Sequence, residues 1–148
     1  MKFANSVTIR VFVKDGEDYD AVHAAFRSLV PLDLEKEKVL VRQQAAVGFN
    51  ERRIGILEIV LVKDRHIRAF LDFLRERLGE RQRQLLIHQK ESRLDSGLDF
   101  FVRLDKDKLL AGEFFVTDSG NCFHVKIGIA AFPRKRGIAL IAVERLLS

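Results

Sequence analysis

The stretch Val7-Thr8-Ile9-Arg10-Val11-Phe12-Val13 decides the reading of the fold. Branched apolar residues occupy every second position and Thr8, Arg10 and Phe12 stand between them, the period of a strand with one face in a core. Directly after it, Asp15-Gly16-Glu17-Asp18 supplies a turn and helix-starting carboxylates. Val22, Ala25, Phe26, Leu29 and Val30 then recur at helical spacing until Pro31 ends the run. Residues 39–41, continuing into Arg42-Gln43-Gln44, and residues 56–62 read as two strands joined by the polar tip Gly48-Phe49-Asn50-Glu51-Arg52-Arg53. Asp64 is placed to cap a second helix with the stripe Ile67, Phe70, Leu71, Leu74 and Leu78, which Gly79 interrupts or ends. A more polar third helix over 81–94 follows, closed by Ser96-Gly97.

The last third begins with a strand over 98–104, a short turn or helix over 105–110 and a strand near 113–117. Asp118-Ser119-Gly120-Asn121 is a hairpin turn signal, and Phe123, Val125, Ile127, Ile129 and Ala131 alternate in the longest strand. Pro133 opens a terminal helix carrying Ile138, Leu140, Ile141, Val143, Leu146 and Leu147. The order β-α-β-β-α-α-β-β-β-α contains more hairpins than crossovers. It predicts an α+β fold, a largely antiparallel sheet with helices packed mainly on one face, in a single domain over residues 1–148.

Composition agrees with one packed domain. The 148 residues are 47% hydrophobic and 32% charged with Gly 9 and Pro 2, which excludes collagenous, low-complexity and wholly disordered chains. A single cysteine, Cys122, forms no internal disulfide and fits a reducing compartment. Asn5, Ser6, Thr8 and Arg10 break the first apolar run too early for a signal peptide, and no apolar stretch approaches the ~20 residues of a membrane span. The expectation is a soluble, cytoplasmic protein with no membrane partner.

Lys+Arg 26 against Asp+Glu 21 gives a net charge of +5, a lean toward polyanionic partners. Most of the excess lies in residues 51–93, with eleven basic and seven acidic side chains. Arg52, Arg53, Arg65, Arg68, Arg75, Arg77, Arg81 and Arg83 belong to that region, and a solvated helix face rich in ion pairs accounts for them as well as phosphate binding does. Arg134, Lys135 and Arg136 are a sharper signal, because they precede a helix whose positive dipole end ordinarily attracts acids. An anion bound there gains from free backbone N–H groups and from the cations; the alternative is pairing with acids elsewhere, or plain solvation.

The strand pattern defines a second candidate surface. With Val7, Ile9, Val11, Val102, Leu104, Val125 and Ile127 on the core face, the opposite face carries Thr8, Arg10, Phe12, Lys14, Arg42, Gln44, Phe101, Arg103, His124 and Lys126. Cations interleaved with aromatic rings on an open sheet suit single-stranded RNA, where rings stack on bases and cations hold phosphates. The alternatives are a solvated outer face or a dimer interface through Phe12 and Phe101.

Catalytic signatures are absent from the sequence. His23, His66, His88 and His124 share no metal-ligand spacing, and Cys122-x-His124 is a lone pair on one strand face. Asp105-Lys106-Asp107-Lys108 alternates carboxylates with ammonium groups, a poor divalent-ion site and a good strand-end turn. There is no phosphate-binding glycine loop or nucleophile elbow. The reading is of a protein that is not an enzyme and needs neither cofactor nor metal.

Two blocks together carry a family resemblance. One is residues 7–13 with Glu17-Asp18 and the helix ending Leu29-Val30-Pro31. The other is Phe101-Val102-Arg103-Leu104-Asp105-Lys106-Asp107, then Gly112-Glu113, Thr117-Asp118 and the strand leading to Phe132-Pro133. Their order and spacing, over nearly the whole chain, resemble the archaeal family of predicted RNA-binding proteins described as predicted exosome subunits. The resemblance implies a compact α+β fold similar to the ribosomal protein that binds 5S ribosomal RNA, an archaeal cytoplasm and a role around RNA. The tip departs from the family's His-Gly-Asn before Pro-Ile, although Arg52 and Arg53 keep it basic.

These readings converge on a non-enzymatic RNA-binding protein associated with RNA processing. Its phosphate contacts are expected at Arg134, Lys135, Arg136, Lys106 and Lys108, with Arg10, Arg103 and Lys126 on the open sheet. The alternative is a dimeric interaction or scaffold protein docking on an RNA-processing complex through its sheet face or an apolar helix.

Overall fold

The computed structural model describes residues 2–47 and 53–148. Five strands, β1 (Ala4–Lys14), β2 (Arg42–Val47), β3 (Arg53–Leu61), β4 (Asp99–Asp105) and β5 (Cys122–Ile129), form one sheet in the order β2-β3-β1-β5-β4. Every pairing is antiparallel. The helices are α1 (Tyr19–Ser28), α2 (Asp64–His88), α3 (Lys90–Arg93), α4 (Lys106–Leu110) and α5 (Arg136–Leu147). The predicted α+β architecture with a largely antiparallel sheet is the one observed.

Alternation along the strands puts the helices on one side. Val7, Ile9, Val11 and Val13 are buried, as are Leu57 and Ile59, Phe100, Val102 and Leu104, and Phe123, Val125 and Ile127. They form one core with Phe26 of α1, Phe70 and Leu74 of α2, and Val143 and Leu146 of α5. The residues between them remain half-buried or exposed, so the other side of the sheet is open.

Local chemistry sets the element ends. The Asp18 side chain accepts from the Ala21 N–H at 3.1 Å to cap α1, and the Asp105 side chain caps α4 through the Lys108 N–H at 3.0 Å. Gly79, at φ 74 and ψ 169, breaks α2 into two helical arms, a conformation reserved for glycine. Arg83 spans the break by donating to the Arg75 carbonyl at 3.1 Å. On the first arm, Arg65 and the buried His66 both reach the Glu37 carboxylate. Their hydrogen bonds, Arg65 first, hold the carboxyl down at about 2.

Several expectations change, and residues 39–41 stay outside β2, which begins at Arg42. Residues 113–117 form no strand: Leu104 and Val116 make an isolated bridge, and the Val116 N–H goes to Gln82 of α2 at 2.8 Å. Pro133 does not open the last helix, which starts at Arg136 after the Lys135 N–H bonds the Pro133 carbonyl. Asp64 is the first residue of α2, not its cap, and pairs with Lys2 at 3.4 Å. Residues 48–52 of the basic tip lie outside the described residues.

Candidate nucleic-acid interface

The antiparallel registers assemble a surface that no single strand carries. Arg42 pairs with Glu58, Glu58 with Arg10, Arg10 with His124, and His124 with Arg103. This row crosses all five strands on the open face. One step along the strands, Val60, Thr8, Lys126 and Phe101 form the neighbouring row. On the other side lie Gln44, Ile56 and Phe12. Of the predicted contacts, Arg10, Arg103 and Lys126 are therefore brought together, joined by Arg42.

Their charges are unevenly compensated. Arg10 hydrogen-bonds Glu58 through Nε at 2.9 Å and through Nη2, while Arg42 Nη1 lies 3.9 Å from the same carboxylate. Lys126 stands 3.7 Å from Asp99. Arg103 donates to the Asp118 main-chain oxygen at 3.1 Å and, among the described residues, has no carboxylate at ion-pair distance. Two cations share one acid and another has none, which leaves the face positive.

His124 lies between Arg10 and Arg103. Burial first, then Arg103, Arg10 and Lys106, hold its pKa below the ordinary 6.5, so the ring is neutral near pH 7. Phe12 meets it edge-on with centroids 5.8 Å apart. Its Nε2 lies 3.5 Å from the Cys122 sulfur, whose thiol is pushed up by burial. A neutral ring and two phenylalanines among arginines offer flat surfaces for bases beside positive charge for phosphates.

Lys106 leaves the set of phosphate contacts. It is 1% exposed, and its ammonium donates to the Phe12 carbonyl at 2.7 Å and to Glu17 at 3.1 Å. The cap at Asp105 turns the chain so that its next side chain points inward, tying α4 to the end of β1. Burial opposes ionisation of Glu17, but the Lys14 N–H and the Lys106 ammonium together hold its carboxyl below the ordinary range. Lys108 is exposed, 4.8 Å over the Phe115 ring and 3.9 Å from Glu113.

The cations before α5 form a separate group. Arg136 donates to the carbonyls of Leu94 at 3.0 Å and Glu91 at 2.6 Å, and Arg134 to Gly97 at 2.9 Å. Arg136 thus serves the carbonyl end of α3, where a cation is favoured. Lys135 is exposed, and among the described residues it has no ion-pair partner. Part of the Arg-rich middle is used in structure: besides Arg65 and Arg83, Arg77 stacks on Phe73 at 5.2 Å.

Sequence reasoning missed Glu58, Ile56 and Val60 on the open face. The alternation Leu57, Ile59, Leu61 was available to find them, but which residue faces Arg10 depends on strand register. It also missed a cleft of about 480 Å³ at the margin of this face, where Phe101 and Arg103 meet Gln89, Arg93, Asp95 and Asp118. Among the described residues, no helix is long and apolar enough to cross a membrane.

Comparison with known proteins gives relatives over almost the full chain. The chain is 30% identical over 144 residues to the RNA-binding protein PAB1135 of Pyrococcus abyssi, covering 97% of this chain and 94% of that protein. Its fold matches protein AF2318 of Archaeglobus fulgidus, a DUF54 structure, with TM-score 0.86 at 27% identity, over 97% of this chain and 99% of the other. It matches Mth689, a DUF54 protein of Methanothermobacter thermautotrophicus, with TM-score 0.79 at 26% identity, over 99% of each chain. A family model described as RNA binding matches residues 6–129, and the chain belongs to that family.

Proposed function

We propose that this protein binds single-stranded RNA on the open face of its sheet and performs no chemistry on it. Arg10, Arg42, Arg103 and Lys126 hold phosphates, and Phe12, Phe101 and His124 provide surfaces for bases. The observation that carries the reading is the five-strand row from Arg42 to Arg103, with His124 between two arginines. Arg134 and Lys135 form a second basic patch beside this face, Arg134 bonding Gly97 near Asp99, the partner of Lys126. The resemblance to predicted exosome subunits supports a role beside RNA-processing machinery, in which this chain would hold strands on which other proteins act.

The test is RNA binding titrated against salt. Each phosphate contact contributes ~0.7 to the slope of log K against log salt for single strands, so replacing Arg10, Arg103 and Lys126 together by Ala lowers the slope by about 2. An unchanged slope and affinity would remove the sheet face from the reading. Lys135→Ala tests the edge separately, without disturbing the Arg136 contacts to α3.

A second reading has its own observation. Phe132 is 98% exposed beside Ile138 and Ile141, around a cleft of about 490 Å³, and contiguous exposed apolar surface marks contact sites. A second copy of this chain docking there makes a dimer through α5. Light scattering then shows a dimer that Phe132→Ser dissociates, and a monomer at every concentration refutes it.

A further inference from the structure

The cleft beside β4 is continuous with the open face but differs in chemistry. Phe101 and Arg103 belong to both, and Phe101 lies across from Lys126 with 36% of its surface exposed. The opposite wall carries two carboxylates, Asp95 and Asp118. Arg93 and Arg103 offset them, so the cleft holds no net positive charge for a phosphate. It suits a neutral base stacked on Phe101 while its phosphates lie on the arginine row.

Hydrogen bonds already made determine which groups remain to read a base. Arg93, its side chain only 9% exposed, donates to Gln89 Oε1 at 2.9 Å and to Asp118 Oδ1 at 3.0 Å. Gln89 keeps its NH₂ group as a donor, and Asp118, 87% exposed, keeps Oδ2 as an acceptor on an anchored carboxylate. Asp95 is spent differently, its Oδ1 accepting the N–H groups of Gly97 and Asp99. The free groups are thus a carboxylate with amide and guanidinium donors close by.

Guanine complements that set. Its Watson–Crick edge presents two adjacent donors, N1–H and N2–H, which a carboxylate accepts, next to the O6 acceptor for an amide or guanidinium N–H. Adenine and cytosine present one donor beside a ring nitrogen acceptor, and uracil one donor between two carbonyls, so a carboxylate meets a lone pair in each. We infer that the cleft between β4 and α3 binds one unstacked guanine of a single-stranded RNA, with Phe101 as the stacking surface and Asp118 as the reader of its Watson–Crick edge. This rests on the reading of the sheet face as an RNA surface.

The experiment is fluorescence anisotropy with labelled ten-nucleotide oligouridylates, unmodified or carrying one central G, A, C or inosine, at low and moderate salt. The protein binds the G oligonucleotide about tenfold tighter than the A or C ones, as one bidentate pair allows. Inosine, which lacks only the 2-amino group, loses most of that preference. Asp118→Asn, which can still accept from Arg93, removes the preference, and Phe101→Ala lowers affinity for the G oligonucleotide. Equal binding of all five RNAs overturns the guanine site and leaves the sheet-face reading standing. A G preference that survives Asp118→Asn overturns Asp118 as its reader. No binding of any oligonucleotide at low salt refutes the sheet-face reading, and the guanine site with it.

Discussion

Replacing Glu58 by Gln removes the carboxylate from the central row of the open face and, on an RNA surface, strengthens binding. In the native row Arg10 and Arg42 share this one acid, so two guanidinium groups and a carboxylate leave one uncompensated positive charge. The amide keeps an oxygen for Arg10 and nearly the same volume between Leu57 and Ile59, but it leaves two charges to meet phosphates. One extra phosphate contact adds ~0.7 to the salt slope, which at about 0.1 M salt raises affinity roughly fivefold. Arg103→Ala does the opposite by a similar factor, because Arg103 has no carboxylate to neutralise it among the described residues. The assay is anisotropy with a labelled oligouridylate at four or more salt concentrations, for wild type, E58Q, R103A and E58Q in an Arg10→Ala, Arg42→Ala background. In that background the salt slope must not rise, since no released arginine remains to contact a phosphate, and any gain left in affinity is relief of repulsion by the then unpaired carboxylate. If E58Q binds RNA no better than wild type, with an unchanged slope, the row is not where phosphates lie.

Three further outcomes test the framework around the face. Gly79→Ala, ordinarily a gain within a helix, destabilises by about 1–3 kcal/mol in urea denaturation, because φ 74 with ψ 169 excludes a Cβ. Lys106→Met takes the ammonium from the Phe12 carbonyl and from Glu17, which keeps only the Lys14 N–H, and lowers stability by roughly 1–3 kcal/mol; an unchanged denaturation midpoint would show the tie to be without consequence. His124 titrates below 6.5 by NMR, and Arg103→Ala moves its midpoint upward. Its folded pKa lies below the unfolded value, so its contribution to stability is complete above about pH 6.5 and is lost as pH falls toward the folded pKa. A His124 midpoint at or above 6.5 contradicts the positive surroundings described for it.

Much of the fold was legible because alternation is a local property. Val7, Ile9 and Val11 point one way whatever the strand pairs with, and Val125 and Ile127 follow the same rule. The kink at Gly79 and the short turn or helix over 105–110 were legible for similar reasons, since both depend on residues within one turn. The segment 113–117 was not, because it joins β4 through a single bridge, and its outward Val116 N–H is taken by Gln82 on a helix distant in sequence. Lys106 and Arg136 were misleading for the same reason. Each looked like a free cation in its own neighbourhood, and each is held by a group far along the chain, Glu17 in one case and the Glu91 and Leu94 carbonyls in the other.

Which side chains leave each strand on the open side, and that cations and rings alternate there, follows from the order of residues alone. Strand period and side-chain chemistry are intrinsic to the chain, so no tertiary information was needed. That Arg42, Glu58, Arg10, His124 and Arg103 stand in one row, that Lys106 is buried, and that Phe101 and Asp118 share a cleft with α3 comes from packing. Those relations depend on register between strands far apart in sequence and on where the helices dock, and a charge acquires its role from the partner that packing brings to it.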